Sequence, residues 1–176
     1  GEGCGYRRHQ RAFAGRRRRM SGVFHRNGWE LRFYPEFIEA MLRLERAVQA
    51  SKLKHPHSFH QRGLAKRLSV VKRLVFEVIP EDPSRPEYRL GATLGPNTKH
   101  WFRAKFYQQY RLFFRYHAPS RIIVFCWFND DDTKRAYESD DDAYRTFQRM
   151  IARGNPPDDW DELLGRSSAS LSDDLD

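Results

Sequence analysis

A run of seven consecutive apolar residues, Ile122 to Phe128, constrains the fold of this chain more than any other feature. A helix that crosses a bilayer needs about 20 apolar residues, so this run is too short to span a membrane. Apolar side chains at both odd and even positions predict a strand that is buried on both faces, at the centre of a sheet. Segments 99–107 and 110–117 precede the run, and their composition predicts two further strands joined by a hairpin.

In the residues before these strands, the apolar positions first alternate, as in a strand, and then recur every three or four residues, as in a helix. Segment 28–33 (GWELRF) alternates apolar and charged residues and predicts a half-buried strand. Pro35 suits the first turn of a following helix. The apolar stripe of that helix consists of Phe37, Met41, Leu44 and Val48. A second helix, which is expected to end before Pro80, has the stripe Leu64, Leu68, Val71, Val75 and Val78.

The order of the elements defines the predicted class of fold. A last amphipathic helix, capped by Asp140 to Asp142, carries the stripe Tyr144, Phe147 and Ile151. Helices before and after hairpin-linked strands predict an α+β domain over residues 23–164, with a mainly antiparallel twisted sheet, two N-terminal helices and a C-terminal helix. Residues 1–22 predict a disordered basic extension, and Met20 is an alternative start of the native chain. Residues 165–176 predict a disordered acidic tail.

The charge of the chain indicates the kind of partner that it binds. Lys and Arg number 32 against 23 Asp and Glu, which gives a net charge of +9 at pH 7. The basic residues 1–19 and the acidic residues 158–176 cancel each other, so the body of the chain carries the whole excess. Within the body, residues 85–121 hold eight Lys or Arg and a single acid, Glu87. This density of positive charge predicts a polyanionic partner.

Composition limits the class of protein further. Hydrophobic residues make up 39% of the chain, a content that excludes a fully disordered protein. Two cysteines, Cys4 and Cys126, are too few for the multi-bridge disulfide scaffold of a small secreted domain. The protein is therefore expected in the reducing cytoplasm, without membrane association.

Each strand of the predicted hairpin has one cationic face. Arg103 and Lys105 share the odd face of the first strand, and Arg111 and Arg115 share the odd face of the second. The two faces coincide only if paired residue numbers have an even sum. A sum of 218 places Arg103 opposite Arg115, across a three-residue or bulged turn at residues 108–110. Two Arg side chains about 5 Å apart repel each other, and a bound anion would relieve that repulsion.

Six segments of the body carry a resemblance to a known family. They occur in one collinear order: NGWEL (27–31), LGPNTKHWFRAKF (94–106), QYRLFFRY (109–116), WFNDDDTKRAY (127–137), DAY with a Phe three residues on (142–147) and RGNPPDDW (153–160). In these segments the chain resembles the YhaV family of bacterial toxins, within the wider RelE-like group of toxin–antitoxin ribonucleases. The resemblance implies a RelE-like fold, cleavage of messenger RNA at or near the ribosome, and neutralisation by a cognate PrlF-type antitoxin.

The resemblance also implies a chemistry and a set of site residues. In RNA cleavage without a metal ion, the ribose 2′-OH attacks the adjacent phosphorus, which requires a base, an acid and cations that stabilise the phosphate. The residues implied to be catalytic are Arg103, Arg111, Lys105 and Tyr137. The residues expected to contact RNA are Arg115, Trp101, His117 and Lys99. Neither a metal ion nor an organic cofactor is expected, and the identity of the acid and the base stays open.

Other interpretations of the same residues also stay open. Arg103 and Lys105 suit an ordinary solvated strand face, and the arginines of the second strand suit ion pairs with the acidic run 130–132. Trp101 suits core packing as well as stacking on a base. The acidic runs 130–132 and 140–142 suit Mg²⁺ binding in a different class of nuclease. A non-catalytic module that binds RNA or the ribosome would use the same basic sheet.

Overall fold

The computed structural model of the chain describes residues 22–131 and 142–171. The strands are β1 (Phe24–Arg26), β2 (Trp29–Phe33), β3 (Phe102–Phe106), β4 (Tyr110–His117) and β5 (Ile122–Phe128). The longer helices are α1 (Pro35–Lys54), α2 (Gly63–Arg73), α3 (Asp142–Ala152) and α4 (Trp160–Gly165). Short 3₁₀ turns occupy Phe59–Gln61 and Pro86–Tyr88. No helix among the described residues is long and apolar enough to cross a membrane.

The five strands form one sheet in the spatial order β1-β2-β5-β4-β3, with the apolar strand β5 at its centre as predicted. β5 pairs antiparallel with β4 and parallel with β2, while the pairs β1–β2 and β3–β4 are antiparallel. The α+β class is confirmed, and the sheet is mixed. The helices between β2 and β3 return the chain to the same end of the sheet, and the two antiparallel connections that follow give β5 the direction of β2.

The edge strand β1 is missing from the sequence prediction. It forms a hairpin with β2 in which Arg26 pairs with Trp29. The two turn residues, Asn27 and Gly28, have φ angles of 50° and 78°. A two-residue turn with both φ angles positive is the favoured connection of a hairpin, and Asn-Gly is its strongest sequence signal. The Asn-Gly dipeptide is the sequence signal that could have indicated this hairpin.

Side chains of β5 point alternately into two hydrophobic cores. Ile123 and Phe125 belong to the core that α1 and α2 cover. Val124 and Cys126 belong to a second core on the opposite face, which α3 and α4 cover. This division explains why both the odd and the even positions of β5 are apolar.

Helix α3 covers much of the cationic face of the hairpin, a contact that the sequence analysis did not predict. Phe147 of α3 is fully buried and stacks on Phe113 of β4 at 4.1 Å between ring centroids. It also meets Trp101 edge-to-face at 5.2 Å. An amphipathic helix must bury its apolar stripe, and this face of the sheet supplies the aromatic surface.

The second predicted helix has the expected apolar stripe but does not end before Pro80. From α2 the chain continues through a wider π turn, Leu74–Val78, into a final helical turn, Ile79–Glu81. Pro80 lies at the start of that last turn. The wider turn before it, in which the Ile79 N–H donates to the carbonyl of Leu74, changes the hydrogen-bond spacing just before a residue that has no N–H.

The C-terminal segment is folded further than the sequence predicts. Asp159 caps α4 by accepting a hydrogen bond from the backbone N–H of Glu162 at 3.0 Å. The backbones of Ser168 and Phe33 exchange two hydrogen bonds of 2.8 Å, and Ser170 is buried. The expectation of disorder from residue 165 onward is therefore wrong up to residue 171. Residues 1–21 and 172–176, which complete the predicted extension and tail, lie outside the described residues.

Candidate active site

The register of the β3–β4 hairpin brings the cationic side chains onto one face. Arg103 lies opposite Phe113, and Lys105 lies opposite Arg111, so paired residue numbers sum to 216. The predicted even sum is confirmed, whereas the pairing of Arg103 with Arg115 is wrong. The turn has three residues, as predicted, but it starts one residue earlier than expected. The two cationic residues that lie opposite each other are therefore Lys105 and Arg111, next to the turn.

The guanidinium groups of Arg103 and Arg111 converge on the hydroxyl of Tyr144. Nε of Arg103 donates to this oxygen at 2.7 Å, and Nε of Arg111 donates to it at 3.0 Å. Tyr144 projects from the first turns of α3, and its ring meets Phe113 edge-to-face at 5.9 Å. All three side chains are half-buried, while Lys105 beside them is exposed. The sequence analysis treated Tyr144 only as part of a core stripe, although the motif DAY contains it.

Backbone carbonyls hold the other side of each guanidinium. Nη1 of Arg103 donates to the carbonyls of Glu87 and Arg89 at 3.0 and 3.1 Å. Nη1 of Arg111 donates to two carbonyls next to the β3–β4 turn at 3.1 and 2.9 Å. Within the described residues, neither Nη2 group contacts an acceptor. Each guanidinium is thus fixed in orientation and keeps two N–H groups for a further ligand.

The carboxylates that follow β5 pair with the helices instead of the site arginines. Asp130 lies 3.3 Å from Arg43 of α1, and Asp131 lies 2.8 Å from the buried Arg67 of α2. Burial and the hydrogen bond to Asp131 raise the pKa of Tyr110 to about 12. Among the described residues, no carboxylate contacts either guanidinium of the site. The alternative of ion pairs with the run 130–132 is therefore wrong for its first two members.

Arg115 and Trp101 are packed into the second core instead of lying exposed on the cationic face, and their contact with RNA stays a prediction. Trp101 has no exposed surface, and its Nε1 donates to Asp158 at 2.9 Å. The Arg115 guanidinium lies 5.1 and 5.5 Å from the rings of Trp101 and Trp160, and it donates to the carbonyl of Asp158 at 2.6 Å. Burial lowers the pKa of Arg115. Both residues fasten the segment before α4 to the sheet.

Of the remaining predicted residues, His117 and Lys99 do not contact the arginine pair. His117 lies at the far end of β4, roughly 20 Å along the strand from Arg111. There its Nδ1 lies 2.6 Å from Oγ of Ser120. Lys99 is exposed in the loop that leads into β3. Tyr137 lies outside the described residues.

Asn129 ties the end of β5 to the segment that carries Arg111. Its buried side chain accepts a hydrogen bond from the Arg111 backbone N–H at 2.7 Å and donates one to the carbonyl of Gln109 at 2.9 Å. The Asn129 amide thus provides the acceptor for the backbone N–H after Tyr110 and the donor for the backbone carbonyl before it. Asn129 belongs to the motif WFNDDDTKRAY, but the sequence analysis gave it no role.

Replacing Asn129 by alanine is expected to lower the free energy of unfolding by about 1–3 kcal/mol, because two half-buried backbone groups lose their partners. Chemical denaturation measures this change. The matched control is Gln148→Ala, since this exposed amide donates to a carbonyl at 3.3 Å; its effect should stay within about 0.5 kcal/mol. Equal stability of the two variants would contradict the structural role of Asn129.

The described residues contain no cluster of three or more His, Cys, Asp or Glu side chains that could hold a metal ion. The acidic pair at positions 130 and 131 is engaged by Arg43 and Arg67. The second acidic run that the sequence analysis considered, residues 140–142, lies outside the described side chains.

Comparison with known proteins identifies the family of the chain. Residues 31–168 match the model of a family described as a toxin with endonuclease activity, of a toxin–antitoxin system. The chain therefore belongs to the YhaV toxin family, as the resemblance implied.

Individual relatives cover most of the chain. Toxin YhaV of Escherichia coli O6:H1 is 40% identical over 146 residues, which is 82% of this chain and 95% of the relative. Ribonuclease toxin YhaV of Escherichia coli K-12 is 40% identical over 139 residues, which is 78% of this chain and 90% of the relative. No solved structure matches the chain significantly.

Proposed function

We propose that this chain is the toxin of a toxin–antitoxin system and cleaves messenger RNA without a metal ion, by attack of a ribose 2′-OH on the neighbouring phosphorus. The observation that carries the proposal is the pair of guanidiniums fixed on Tyr144, with two Nη2 groups that contact no acceptor of the described residues. Membership of a family of toxins with endonuclease activity supports it, as does the name of the ribonuclease relative.

The two arginines supply the charge that the reaction needs. Negative charge grows on the non-bridging phosphate oxygens as the 2′ oxygen approaches phosphorus, and preorganised donors stabilise it. A guanidinium presents its N–H groups in a rigid plane that suits two oxygens at once. The N–H groups of Arg103 and Arg111 are held in place by carbonyls and by Tyr144, so little reorganisation is required when the charge develops.

The reaction also moves two protons. A bond forms between O2′ and phosphorus, the bond from phosphorus to O5′ breaks, and the product carries a 2′,3′-cyclic phosphate. The 2′-OH proton passes to a base, and the leaving O5′ takes a proton from an acid. We assign the acid to Tyr144, because its oxygen already accepts two N–H bonds, which direct its own proton away from the arginines. Lys105 and Tyr137 are the candidates for the base.

A second basic surface supports docking on the ribosome during translation. Residues 46–76 contain eight Lys or Arg and no Asp or Glu. Exposed members include Lys52, Lys54, Arg62 and Lys66. These residues belong to α1, α2 and their connection, on the face of the sheet opposite α3. Such a surface suits the phosphates of ribosomal RNA while the mRNA occupies the arginine pair.

The proposal also covers the subtype of the fold, the antitoxin and the location in the cell. We assign the chain a RelE-like version of the α+β fold, a PrlF-type antitoxin as its neutralising partner, and the cytoplasm as its location. The mixed sheet with α1 and α2 on one face and α3 on the other is compatible with that assignment. The lack of a membrane-crossing helix among the described residues is compatible with a cytoplasmic toxin.

Purified protein in EDTA is expected to cleave RNA and to leave 5′ fragments that end in a cyclic phosphate. The assay compares RNA alone in EDTA with RNA on translating ribosomes in the Mg²⁺ that ribosomes require, and mass spectrometry identifies the fragment ends. Intact RNA that is bound in a salt-sensitive manner under both conditions would favour the non-catalytic binding module. Cleavage that is lost in EDTA and restored by Mg²⁺ would contradict the metal-free mechanism.

A further inference from the structure

One aromatic side chain differs from all the others in the described part of the chain. Tyr107 is 54% exposed, whereas every other described Phe, Tyr and Trp is buried or half-buried. It lies at the tip of the β3–β4 hairpin, as the first residue of the three-residue turn. Exposing a large ring to water gives up the free energy that its burial would contribute. Folding therefore provides little reason for an aromatic residue at this tip.

The backbone of Tyr107 makes the choice of residue more unusual. Its φ angle is 50°, in the left-handed region that Gly and Asn adopt most easily. The conformation is unfavourable for a bulky residue, and such strain concentrates at functional sites. Both the exposure and the backbone thus favour a smaller residue at this position.

The position of Tyr107 connects it to the arginine pair. The carbonyl of Gln108, the next residue, accepts a hydrogen bond from Nη1 of Arg111 at 3.1 Å. Exposed Lys105 precedes Tyr107 by two residues on the same hairpin. The Tyr107 ring also lies 6.3 Å from the ring of Phe106 and 6.5 Å from that of Tyr110, two residues of the core that α1 and α2 cover, so Tyr107 lies at the turn where the two faces of the hairpin meet.

We propose that Tyr107 is a base-binding residue, which stacks on the nucleobase next to the phosphate held by Arg103 and Arg111. The inference rests on the proposed function and adds a contact between the protein and a nucleobase of the bound RNA. An exposed ring on a hairpin that also carries fixed cations is an arrangement by which proteins hold single-stranded RNA. Stacking tolerates many sequences, so the residue sets affinity and the position of the cut more than a strict base preference.

The test uses RNA oligonucleotides that span one cleavage site, with a 2′-deoxy sugar at that site to prevent the cut. A single abasic position is moved along the oligonucleotide, and fluorescence anisotropy gives the dissociation constant for wild type, Tyr107→Asn and Tyr107→Trp. One abasic position next to the blocked site is expected to weaken binding to wild type about tenfold. The same lesion should have little effect on Tyr107→Asn, and Tyr107→Trp should behave as wild type.

Stability separates this role from a structural one. Tyr107→Asn should unfold at the same temperature as wild type or a higher one, since Asn adopts a positive φ at low cost. A lower unfolding temperature, or equal sensitivity of both proteins to every abasic position, would overturn the stacking proposal. Wild type that cuts neither the unmodified oligonucleotide nor RNA on translating ribosomes would overturn the ribonuclease assignment as well, whereas normal cutting without abasic coupling would overturn the stacking alone.

Discussion

Replacing Arg103 by alanine is expected to slow RNA cleavage about a hundredfold, which corresponds to roughly 3 kcal/mol of lost transition-state stabilisation. The variant loses the Nη2 donors on one side of the phosphate. Tyr144 also loses one of the two N–H groups that orient its hydroxyl. Single-turnover cleavage of an oligonucleotide measures the effect, and growth after induction provides a second readout. The arrest of growth should disappear together with cleavage.

The Arg103 experiment has a matched control on the same protein. Arg166 of the C-terminal segment is 50% exposed and pairs with Glu162 at 2.5 Å. Arg166→Ala removes the same charge at a distance from the site and should leave the cleavage rate within about twofold, since an exposed ion pair contributes little. Arg103→Lys should remain impaired, because an ammonium group cannot reproduce the planar fork. A normal rate in Arg103→Ala would refute the role of the arginine pair.

Replacing Tyr144 by phenylalanine is also expected to lower the cleavage rate about a hundredfold, within the usual range for loss of a proton donor. The change removes one oxygen and leaves the ring against Phe113. Both arginines would then lose their common acceptor, at 2.7 and 3.0 Å in the wild type. We expect the main effect on kcat, with a smaller change in KM, because the hydroxyl acts in the chemical step.

Tyr116→Phe is the control for the loss of a phenol hydroxyl. Tyr116 is half-buried near the other end of β4, where its ring contacts Trp29 and Phe102. Loss of the Tyr116 hydroxyl should not alter the rate of RNA cleavage. Because Arg103 and Tyr144 act as one unit, the double variant should be much less impaired than the product of the two single effects. Full activity in Tyr144→Phe would reduce Tyr144 to a packing residue.

Some parts of the fold were predictable because they depend on neighbours in the chain. The alternation in segment 28–33 became β2 with alternate residues buried, and Phe37, Met41, Leu44 and Val48 became the buried stripe of α1. The parity of β3 and β4 placed Lys105 and Arg111 on one face. Each of these features follows from the period of a strand or a helix, which local sequence is enough to specify.

Other parts of the site depend on contacts between distant segments. The cationic residues of β4 look alike in sequence, yet Arg111 reaches Tyr144 at the edge of the sheet while Arg115 is enclosed by two Trp rings. The difference arises because α3 and α4 cover one end of the face more completely than the other. Alternation assigns a residue to a face, but it does not reveal what packs over that face.

The sequence by itself determined the α+β class, the central apolar strand, the shared cationic face of the hairpin and the family of the chain, through periodicity, charge and collinear motifs. Only the tertiary structure decided which cations remain accessible and that Tyr144 joins two of them. The physical reason is that burial and hydrogen bonding are settled by the packing of α3 across the sheet, a contact between residues more than 30 positions apart.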